Sequence, residues 1–287
     1  FNRDFFMVNF NGSIIKNESI DSLINNRGFK YGDALFETLK VVNSKILFWE
    51  DHYFRLMASM RILRMEIPMH FTMQFLEDQI LKLISAMGYE NHSLRAKLLV
   101  FRNEGGYYLP DSNEISFLIT ASIIDEDFYL VKENEYEVDL FKDFYVSPSL
   151  LSTLKTNNKA INVVGSIFAK ENNLHNCLLL NTEKRVIEAL NGNVFLIKNS
   201  IIKTPPLADG CLKGIMRKQI IDIIKQLPDY EIIEDSISPF ELQKADEIWV
   251  TNIVTGIQPV TKYRKKYFSN NVAKVILQKL NAKMRLG

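Results

Sequence analysis

A chain of 287 residues is long enough for one large or two ordinary domains, each with its own core. Lys plus Arg number 35 and Asp plus Glu number 34, so no overall charge favours nucleic acid or a membrane surface as a partner. The two cysteines, Cys177 and Cys211, lack metal-site or redox-pair spacing, and the longest apolar runs are too short to cross a bilayer. We therefore expect a cytoplasmic globular protein that has no metal site.

The first 124 residues show the patterns of a small mixed domain. Asn11-Gly12 stands between two apolar runs, which is the strongest short signal for a hairpin. Leu56, Met60 and Leu63 share helical spacing and predict a helix. In chain order, the predicted elements are a hairpin over 5–15, a hairpin of strands 34–42 and 46–49, helices over 50–64 and 71–87, and strands over 97–102 and 115–124.

Between residues 125 and 158 the sequence becomes polar and irregular, with Pro148 inside it, which predicts an interdomain linker. The predicted domains are therefore 1–124, an N-terminal α/β domain, and 159–287, a C-terminal domain. Short strands mixed with helices indicate a two-domain protein of the α/β or α+β class. Beyond the linker, the predicted elements are helices over 160–172, 214–226 and 272–284 and strands over 177–181, 194–198 and 247–251.

The second half of the chain contains four short motifs, and the last of them stands at the start of a predicted helix. Gly214-Ile215-Met216 precedes a helical pattern of isoleucines, and a helix N-terminus offers free backbone N–H groups to a phosphate dianion. Such a start is weak evidence alone, because most helices bind nothing at their N-terminus. The motifs read KAIN at 159–162, EALNGNVF at 188–195, IKT at 202–204 and LKGIMR at 212–217.

The first half carries two further motifs, RGFKYGDALFET at residues 27–38 and DHYFRL at residues 51–56. Together with the motifs of the second half, they resemble the signature of class IV aminotransferases, the fold-type IV enzymes that use pyridoxal phosphate (PLP). The resemblance covers most of the chain. It implies a small N-terminal α/β domain and a larger C-terminal domain with a barrel-like sheet, as in D-amino-acid aminotransferases.

The resemblance also assigns the cofactor contacts. Lys159 stands where the family keeps its Schiff-base lysine, and Lys155 is the alternative if the register differs. Glu188 would accept a hydrogen bond from the pyridinium nitrogen, and Arg55 would bind the phosphate with its guanidinium fork. Without the family motifs, each of these side chains would be read as a solvated surface charge. The remaining cofactor contacts are Asn193, Gly214, Ile215, Met216, Asn252 and Ile253.

Two residues depart from the family pattern. Leu190 replaces a small residue, which leaves the packing behind the cofactor ring open. Ile253 lacks the hydroxyl that other branches of the family place near the phosphate. His52 and Arg217 match the motifs, but we expect both to support the structure rather than to contact the cofactor.

Two positions favour one branch of the family. Thr38 follows Phe36-Glu37, where 4-amino-4-deoxychorismate lyases typically have a threonine, and its hydroxyl would assist proton delivery. The segment that contains Asn252 also resembles the corresponding segment of the lyase branch. The expected reaction releases pyruvate and forms p-aminobenzoate for folate biosynthesis. The alternatives are a transaminase for branched-chain or D-amino acids that uses 2-oxoglutarate, and a catalytically silent binding protein of the same fold.

The sequence does not assign the residue that would bind the ring carboxylate of the substrate. Lys40, Lys97 and Arg102 are the candidates, because the segment after Arg102 lacks the arginine that many lyases carry there. Tyr31 and Thr255 are further predicted substrate contacts. The resemblance also implies a homodimer, since the active site of this family lies between the domains and near the subunit interface.

Overall fold

The computed structural model describes residues 7–10, 13–16 and 25–286. The first hairpin is formed by β1 (Met7–Phe10) and β2 (Ser13–Lys16), which pair antiparallel with Phe10 opposite Ser13. The predicted pairing is confirmed, whereas the Asn11-Gly12 turn itself and residues 5 and 6 lie outside the described residues.

An antiparallel sheet and two long helices build the N-terminal domain. Its strands lie in the order β4-β3-β5-β6. Leu35 and Leu39 of the sheet share one core with Leu56 and Met60 of the first long helix and with Leu76 of the second. The elements are α1 (Arg27–Tyr31), β3 (Ala34–Val42), β4 (Lys45–Ile46), α2 (Trp49–Ile62), α3 (Met73–Ala86), β5 (Leu94–Arg102) and β6 (Ile115–Ile123).

The turn between β3 and β4 explains why the second hairpin is shorter than the sequence predicts. Asn43 and Ser44 both have positive φ, 48° and 58°, as the tight turns of two-residue hairpins require. Phe48 is also left-handed, with φ of 53°, so the chain leaves the sheet and Trp49 begins α2. The predicted strand over 46–49 is therefore wrong after Ile46.

A ten-stranded sheet organises the C-terminal domain among the described residues. Its main path is β12-β11-β10-β9-β8-β7-β15-β16, and β13 pairs with β10 and β14. Phe195 and Trp249 lie between this sheet and two helices, in one core with Ile220 and Leu280. The strands are β7 (Glu137–Val146), β8 (Asn176–Asn181), β9 (Val186–Ala189), β10 (Gly192–Lys198), β11 (Ile201–Thr204), β12 (Glu231–Glu234), β13 (Glu247–Asn252), β14 (Gly256–Pro259), β15 (Lys262–Tyr263) and β16 (Lys266–Tyr267).

The helices of this domain agree with the predicted ones to within about two residues at each end. None of the helices among residues 25–286 has both the length and the apolar character needed to cross a membrane. They are α4 (Ala160–Glu171), α5 (Ile215–Ile224), α6 (Pro239–Leu242) and α7 (Asn271–Leu286), and only α6 was not predicted.

The segment predicted as an irregular linker contains β7, which pairs in parallel with β8. The second half of β7, after Phe141, is mostly exposed, so the strand lacks a regular alternation of apolar and polar residues. The large sheet therefore begins inside the segment 125–158.

A short backbone contact joins the two domains beside the site. The chain of Lys155 runs along the free edge of β3, where the Lys155 carbonyl accepts a hydrogen bond from the Phe36 N–H at 2.9 Å. The next residue, Thr156, forms an antiparallel bridge with Leu35. This contact fixes the segment leading to Lys159 against the N-terminal sheet.

Candidate active site

A cavity of about 450 Å³ lies at this junction and draws residues from both domains. Of the residues predicted for the site, all except Tyr31, Lys40, Lys97 and Arg102 line it. The predicted residues that share the cavity are Thr38, Arg55, Lys159, Glu188, Asn193, Gly214, Ile215, Met216, Asn252, Ile253 and Thr255.

Lys159 occupies the position directly before α4. Its side chain points into the cavity and makes no hydrogen bond or ion pair with the part of the chain that the structure describes. Burial lowers the pKa of Lys159, and the negative charge of Glu188 partly opposes that effect. An amine with a lowered pKa is a better nucleophile near neutral pH, as attachment to a carbonyl cofactor requires.

Glu188 lies on β9 across the cavity from Lys159. Its Oε2 accepts a hydrogen bond from the Leu212 N–H at 2.8 Å. Burial raises the pKa of Glu188, while this hydrogen bond and the positive charges of Lys159 and Lys155 oppose the rise. The other oxygen remains available to a hydrogen-bond donor such as a pyridinium nitrogen.

The start of α5 forms one wall of the cavity. Ile215 and Met216 are its first two residues, so their N–H groups have no carbonyl acceptor within the helix. A Cβ atom on Gly214, the residue before them, would overlap the side-chain oxygen of Asn193. Asn193 is fixed in turn, because its amide nitrogen donates to the Leu212 carbonyl at 2.8 Å. Glycine is therefore required at position 214 if Asn193 is to lie this close. The free N–H groups at the start of α5 suit a phosphate.

Arg55 reaches the same end of the cavity from α2. Its Nε donates to Glu37 Oε1 at 2.8 Å, its Nη2 donates to Glu37 Oε2, and its Nη1 donates to the Lys213 carbonyl at 2.9 Å. Burial alone would raise the pKa of Glu37, but Arg55 and His52 together lower it to about 2. The guanidinium is thus held in place while it keeps further N–H groups for a ligand.

His52 supports Glu37 from the other side, with Nδ1 at 2.7 Å from Glu37 Oε2. Burial lowers the pKa of His52, and the hydrogen bond and negative charge of Glu37 partly oppose that effect. Its Nε2 is buried and has no hydrogen-bond partner among the described residues. Arg217 donates to the Pro205 carbonyl and to Glu234, away from the cavity.

Asn252 shapes the loop that closes the cavity. Its side-chain oxygen accepts hydrogen bonds from the N–H groups of Val254 and Thr255, each at 3.0 Å, which holds a tight turn. The Thr255 hydroxyl is buried and has no partner among the described residues, so it is free to bind a ligand. Ile253 packs into the core, and its carbonyl accepts from the Tyr129 hydroxyl at 2.7 Å.

The structure does not bring Tyr31, Lys40 and Arg102 into this cavity. Tyr31 and Arg102 line a neighbouring cavity of about 670 Å³, and Lys159 and Glu188 line that cavity as well. Arg102 is committed there, because it donates to Asp33 at 2.9 Å and to two backbone carbonyls. Lys40 is 1% exposed and lies 4.3 Å from the centre of the Tyr129 ring, and burial lowers its pKa to about 8.

The structure also explains the irregular Leu190. A Cβ atom on Gly165 of α4 would lie 2.5 Å from Leu190 Cδ2, so the glycine provides the space that the leucine needs. The Leu190 carbonyl accepts from Asn162 at 2.7 Å, which ties it to the helix after Lys159. Sequence reasoning missed Glu37 as a site residue, although a charged residue within an apolar strand was the available signal.

The chain is similar to known proteins over most of its length. A family model described as amino-transferase class IV matches residues 34–263. A D-alanine aminotransferase of Listeria monocytogenes is 25% identical over 256 residues, which is 88% of this chain and 85% of the relative. An aminodeoxychorismate lyase of Vibrio harveyi is 24% identical over 240 residues, which is 83% of this chain and 86% of the relative.

Solved structures share the fold. The T.th. branched-chain amino acid aminotransferase, crystallised with pyridoxamine 5'-phosphate, gives a TM-score of 0.82 at 21% identity, covering 98% of this chain and 95% of that one. The 4-amino-4-deoxychorismate lyase of Pseudomonas aeruginosa gives 0.75 at 23% identity, covering 91% of this chain and 94% of that one. At this identity the structures show the two-domain fold. Because the family model spans most of the sequence, the chain belongs to the class IV aminotransferases, which are PLP-dependent enzymes.

Proposed function

We propose that this protein is a PLP-dependent 4-amino-4-deoxychorismate lyase that releases pyruvate and forms p-aminobenzoate, a precursor in folate biosynthesis. The observation that carries the proposal is that Thr38, from the N-terminal domain, lines the same cavity as Lys159 and Glu188. Asn252, the second residue typical of the lyase branch, closes the same cavity with its turn.

The residues of the cavity fit the cofactor. Lys159 would hold it covalently, Glu188 would accept from its pyridinium nitrogen, and Arg55 together with the N–H groups of Ile215 and Met216 would bind its phosphate. When bound, the cofactor supplies an electron sink for negative charge at the substrate carbon that carries the amine. The Thr255 hydroxyl, which has no hydrogen-bond partner among the described residues, would be one more donor for a bound anion.

Lys159 and Thr38 would divide the proton transfers between them. The amine of Lys159, with its lowered pKa, accepts the proton from the substrate carbon. The hydroxyl of Thr38 delivers a proton to the departing pyruvate carbon. Glu188 would orient the cofactor, because the Leu212 N–H holds one of its carboxylate oxygens at 2.8 Å.

A transaminase for branched-chain or D-amino acids is the second candidate, and one observation favours it. Arg102, a candidate receptor for the ring carboxylate of the lyase substrate, uses its donors on Asp33 and on the Leu63 and Arg64 carbonyls. Lys40 packs on Tyr129 instead. A transaminase would need no receptor for a ring carboxylate.

A product assay separates these functions. Purified enzyme loaded with PLP is incubated with aminodeoxychorismate, and p-aminobenzoate and pyruvate are measured; a parallel panel of L- and D-amino acids with 2-oxoglutarate measures transamination. We expect both lyase products in equal amounts. Intact cofactor with no p-aminobenzoate would exclude the lyase, and formation of pyridoxamine phosphate in the panel would establish the transaminase.

Two variants test the assignment of Lys159. Lys159→Ala should lose the visible absorbance of the lysine-bound cofactor together with all activity. Lys170→Ala, on the exposed side of the same helix, should keep both. A protein that shows neither cofactor absorbance nor any reaction would instead be a silent binding protein of the same fold.

We also propose that the protein is a homodimer. The helix that follows Lys159 exposes Val163, Val164 and Ile167, and their side chains are 58%, 40% and 52% exposed. A contiguous apolar face beside an active site is typical of a subunit interface. Sedimentation should give twice the mass of the chain, and an active monomer would contradict the proposal.

A further inference from the structure

Lys155 is a second lysine in the cofactor cavity. Its Nζ lies 4.4 Å from the centre of the Phe36 ring, and it lines the same cavity as Arg55 and Lys159. Its backbone is fixed to the edge of β3, since its carbonyl accepts from the Phe36 N–H. Within residues 25–286, its ammonium has no hydrogen bond and no ion pair.

Lys155 forms no ion pair among the described residues, although the negative charges of Glu37 and Glu188 act on it. Arg55 is already paired with Glu37 through two hydrogen bonds, so the pair has almost no net charge. Lys159 is taken up by the covalent link to the cofactor, and Arg95, which also lines the cavity, is exposed to solvent. A phosphate dianion therefore needs a cation in addition to Arg55, and Lys155 is the one that the cavity supplies.

The surroundings of Lys155 place it near Arg55. Burial is the largest cause that lowers the pKa of Lys155 to about 7, and the positive charge of Arg55 is the second. Glu37, which Arg55 already holds, comes next and raises the pKa, and Lys159 contributes less than either. Among the charged groups, the Arg55 guanidinium at the phosphate end therefore has the largest effect on the pKa of Lys155. An anion bound between the two cations would relieve their repulsion.

We propose that Lys155 is a second cationic ligand of the cofactor phosphate, acting together with Arg55 and the N-terminus of α5. The inference rests on the proposed use of PLP, but it does not depend on which reaction the enzyme catalyses. It distinguishes Lys155 from Lys159, because Lys155 binds the phosphate and Lys159 forms the covalent link.

The test compares two ligands that differ only in the phosphate. Apoenzyme is titrated with PLP and with pyridoxal, and the dissociation constants are measured from the absorbance and from the quenching of protein fluorescence. The variants are Lys155→Met and Lys155→Arg. The control is Lys97→Met, because Lys97 lies 4.6 Å from the same Phe36 ring but does not line the cavity.

We expect Lys155→Met to weaken PLP binding by about tenfold to a hundredfold, the usual effect of losing a charged hydrogen bond, while pyridoxal binding stays the same. Lys155→Arg should recover most of the loss, and Lys97→Met should change neither ligand. Inorganic phosphate should compete with PLP in the wild type and more weakly in Lys155→Met.

Three outcomes would overturn the inference. Equal losses for PLP and pyridoxal would mean that Lys155 supports the shape of the cavity. Unchanged PLP binding with a raised KM for the amino substrate would make Lys155 a substrate receptor. A wild type that does not bind PLP would remove the cofactor and this inference together, whereas PLP binding without p-aminobenzoate would remove only the proposed reaction.

Discussion

The carboxylate of Glu37 holds the guanidinium of Arg55 through two parallel hydrogen bonds, and the same guanidinium reaches across to the Lys213 carbonyl in the other domain. Lys213 directly precedes Gly214, the residue before α5. The Glu37–Arg55 pair therefore holds the arginine beside the start of α5 before a ligand binds. Binding of a phosphate then does not have to restrict a freely rotating arginine side chain.

Replacing Glu37 by Gln should destabilise the protein strongly. The substitution leaves Arg55 without its buried counterion, and breaking one side of a buried pair costs about 3–5 kcal/mol. Urea unfolding of the apoenzyme measures the change. Glu50→Gln, at an exposed position in the first turn of α2, is the matched control and should stay within about 0.5 kcal/mol of wild type.

The same pair predicts how stability depends on acid. The pKa of Glu37 falls from its ordinary value of 4.5 to about 2 in the folded protein. A lowered pKa stabilises the folded state above pH 4.5, and this contribution, about 3 kcal/mol, is lost as the pH falls toward 2. The difference in unfolding free energy between wild type and Glu37→Gln should therefore shrink across that interval. A constant difference would contradict the assignment.

The charged amine of Lys155 should destabilise the folded apoenzyme, whereas the ionised carboxylate of Glu37 stabilises it. Its pKa falls from 10.5 to about 7, which means that the folded apoenzyme disfavours the charged amine. The cost is present below pH 7 and disappears as the pH rises toward 10.5. Lys155→Met should then raise the melting temperature of the apoenzyme at pH 6 by about 3–10 °C. The gain should diminish at pH 10, and Lys97→Met should show no comparable gain.

Thr38 offers a test of the reaction itself. Thr38→Val keeps the shape of the side chain and removes the hydroxyl, so p-aminobenzoate formation should fall by about a hundredfold or more if that hydroxyl transfers a proton. PLP binding should not change, because Thr38 is not among the expected phosphate or pyridine contacts. Thr38→Ser should keep most of the activity. Full activity in Thr38→Val would remove Thr38 from the proton transfers.

Gly214 tests the phosphate end without touching a charge. A methyl group there would overlap the side-chain oxygen of Asn193, so Gly214→Ala should displace the start of α5 and weaken PLP binding by at least about tenfold. Binding of pyridoxal should suffer less. Ala208→Gly, at an exposed position that does not line the cofactor cavity, is a control that should leave both affinities near wild type.

Several residues that the sequence motifs single out lie together in the structure, whereas parts of the sheet around them were not predicted. Lys159, Glu188 and Arg55 belong to motifs whose spacing is informative by itself, and the structure brings all three to one cavity. The long helices α2 and α3 were predicted because their apolar residues repeat with helical spacing over fourteen residues each.

The elements that the sequence did not predict are those that depend on contacts with residues distant in the chain. Strand β7 is stabilised by its parallel neighbour β8, which begins about thirty residues after β7 ends, and its exposed second half shows no alternation. Strands of two residues such as β15 leave no periodic pattern to detect. Lys40 could not be placed either, because nothing in the sequence indicates that its side chain packs on Tyr129.

The contact between Gly165 and Leu190 couples the two positions. A Cβ atom at position 165 would lie 2.5 Å from Leu190 Cδ2, so a larger residue there would force the leucine side chain out of its present position. A small residue at position 190, with Gly165 kept, would instead leave a void between α4 and the cavity wall. A side chain at position 165 should therefore be better tolerated together with a residue smaller than leucine at position 190 than either change is alone.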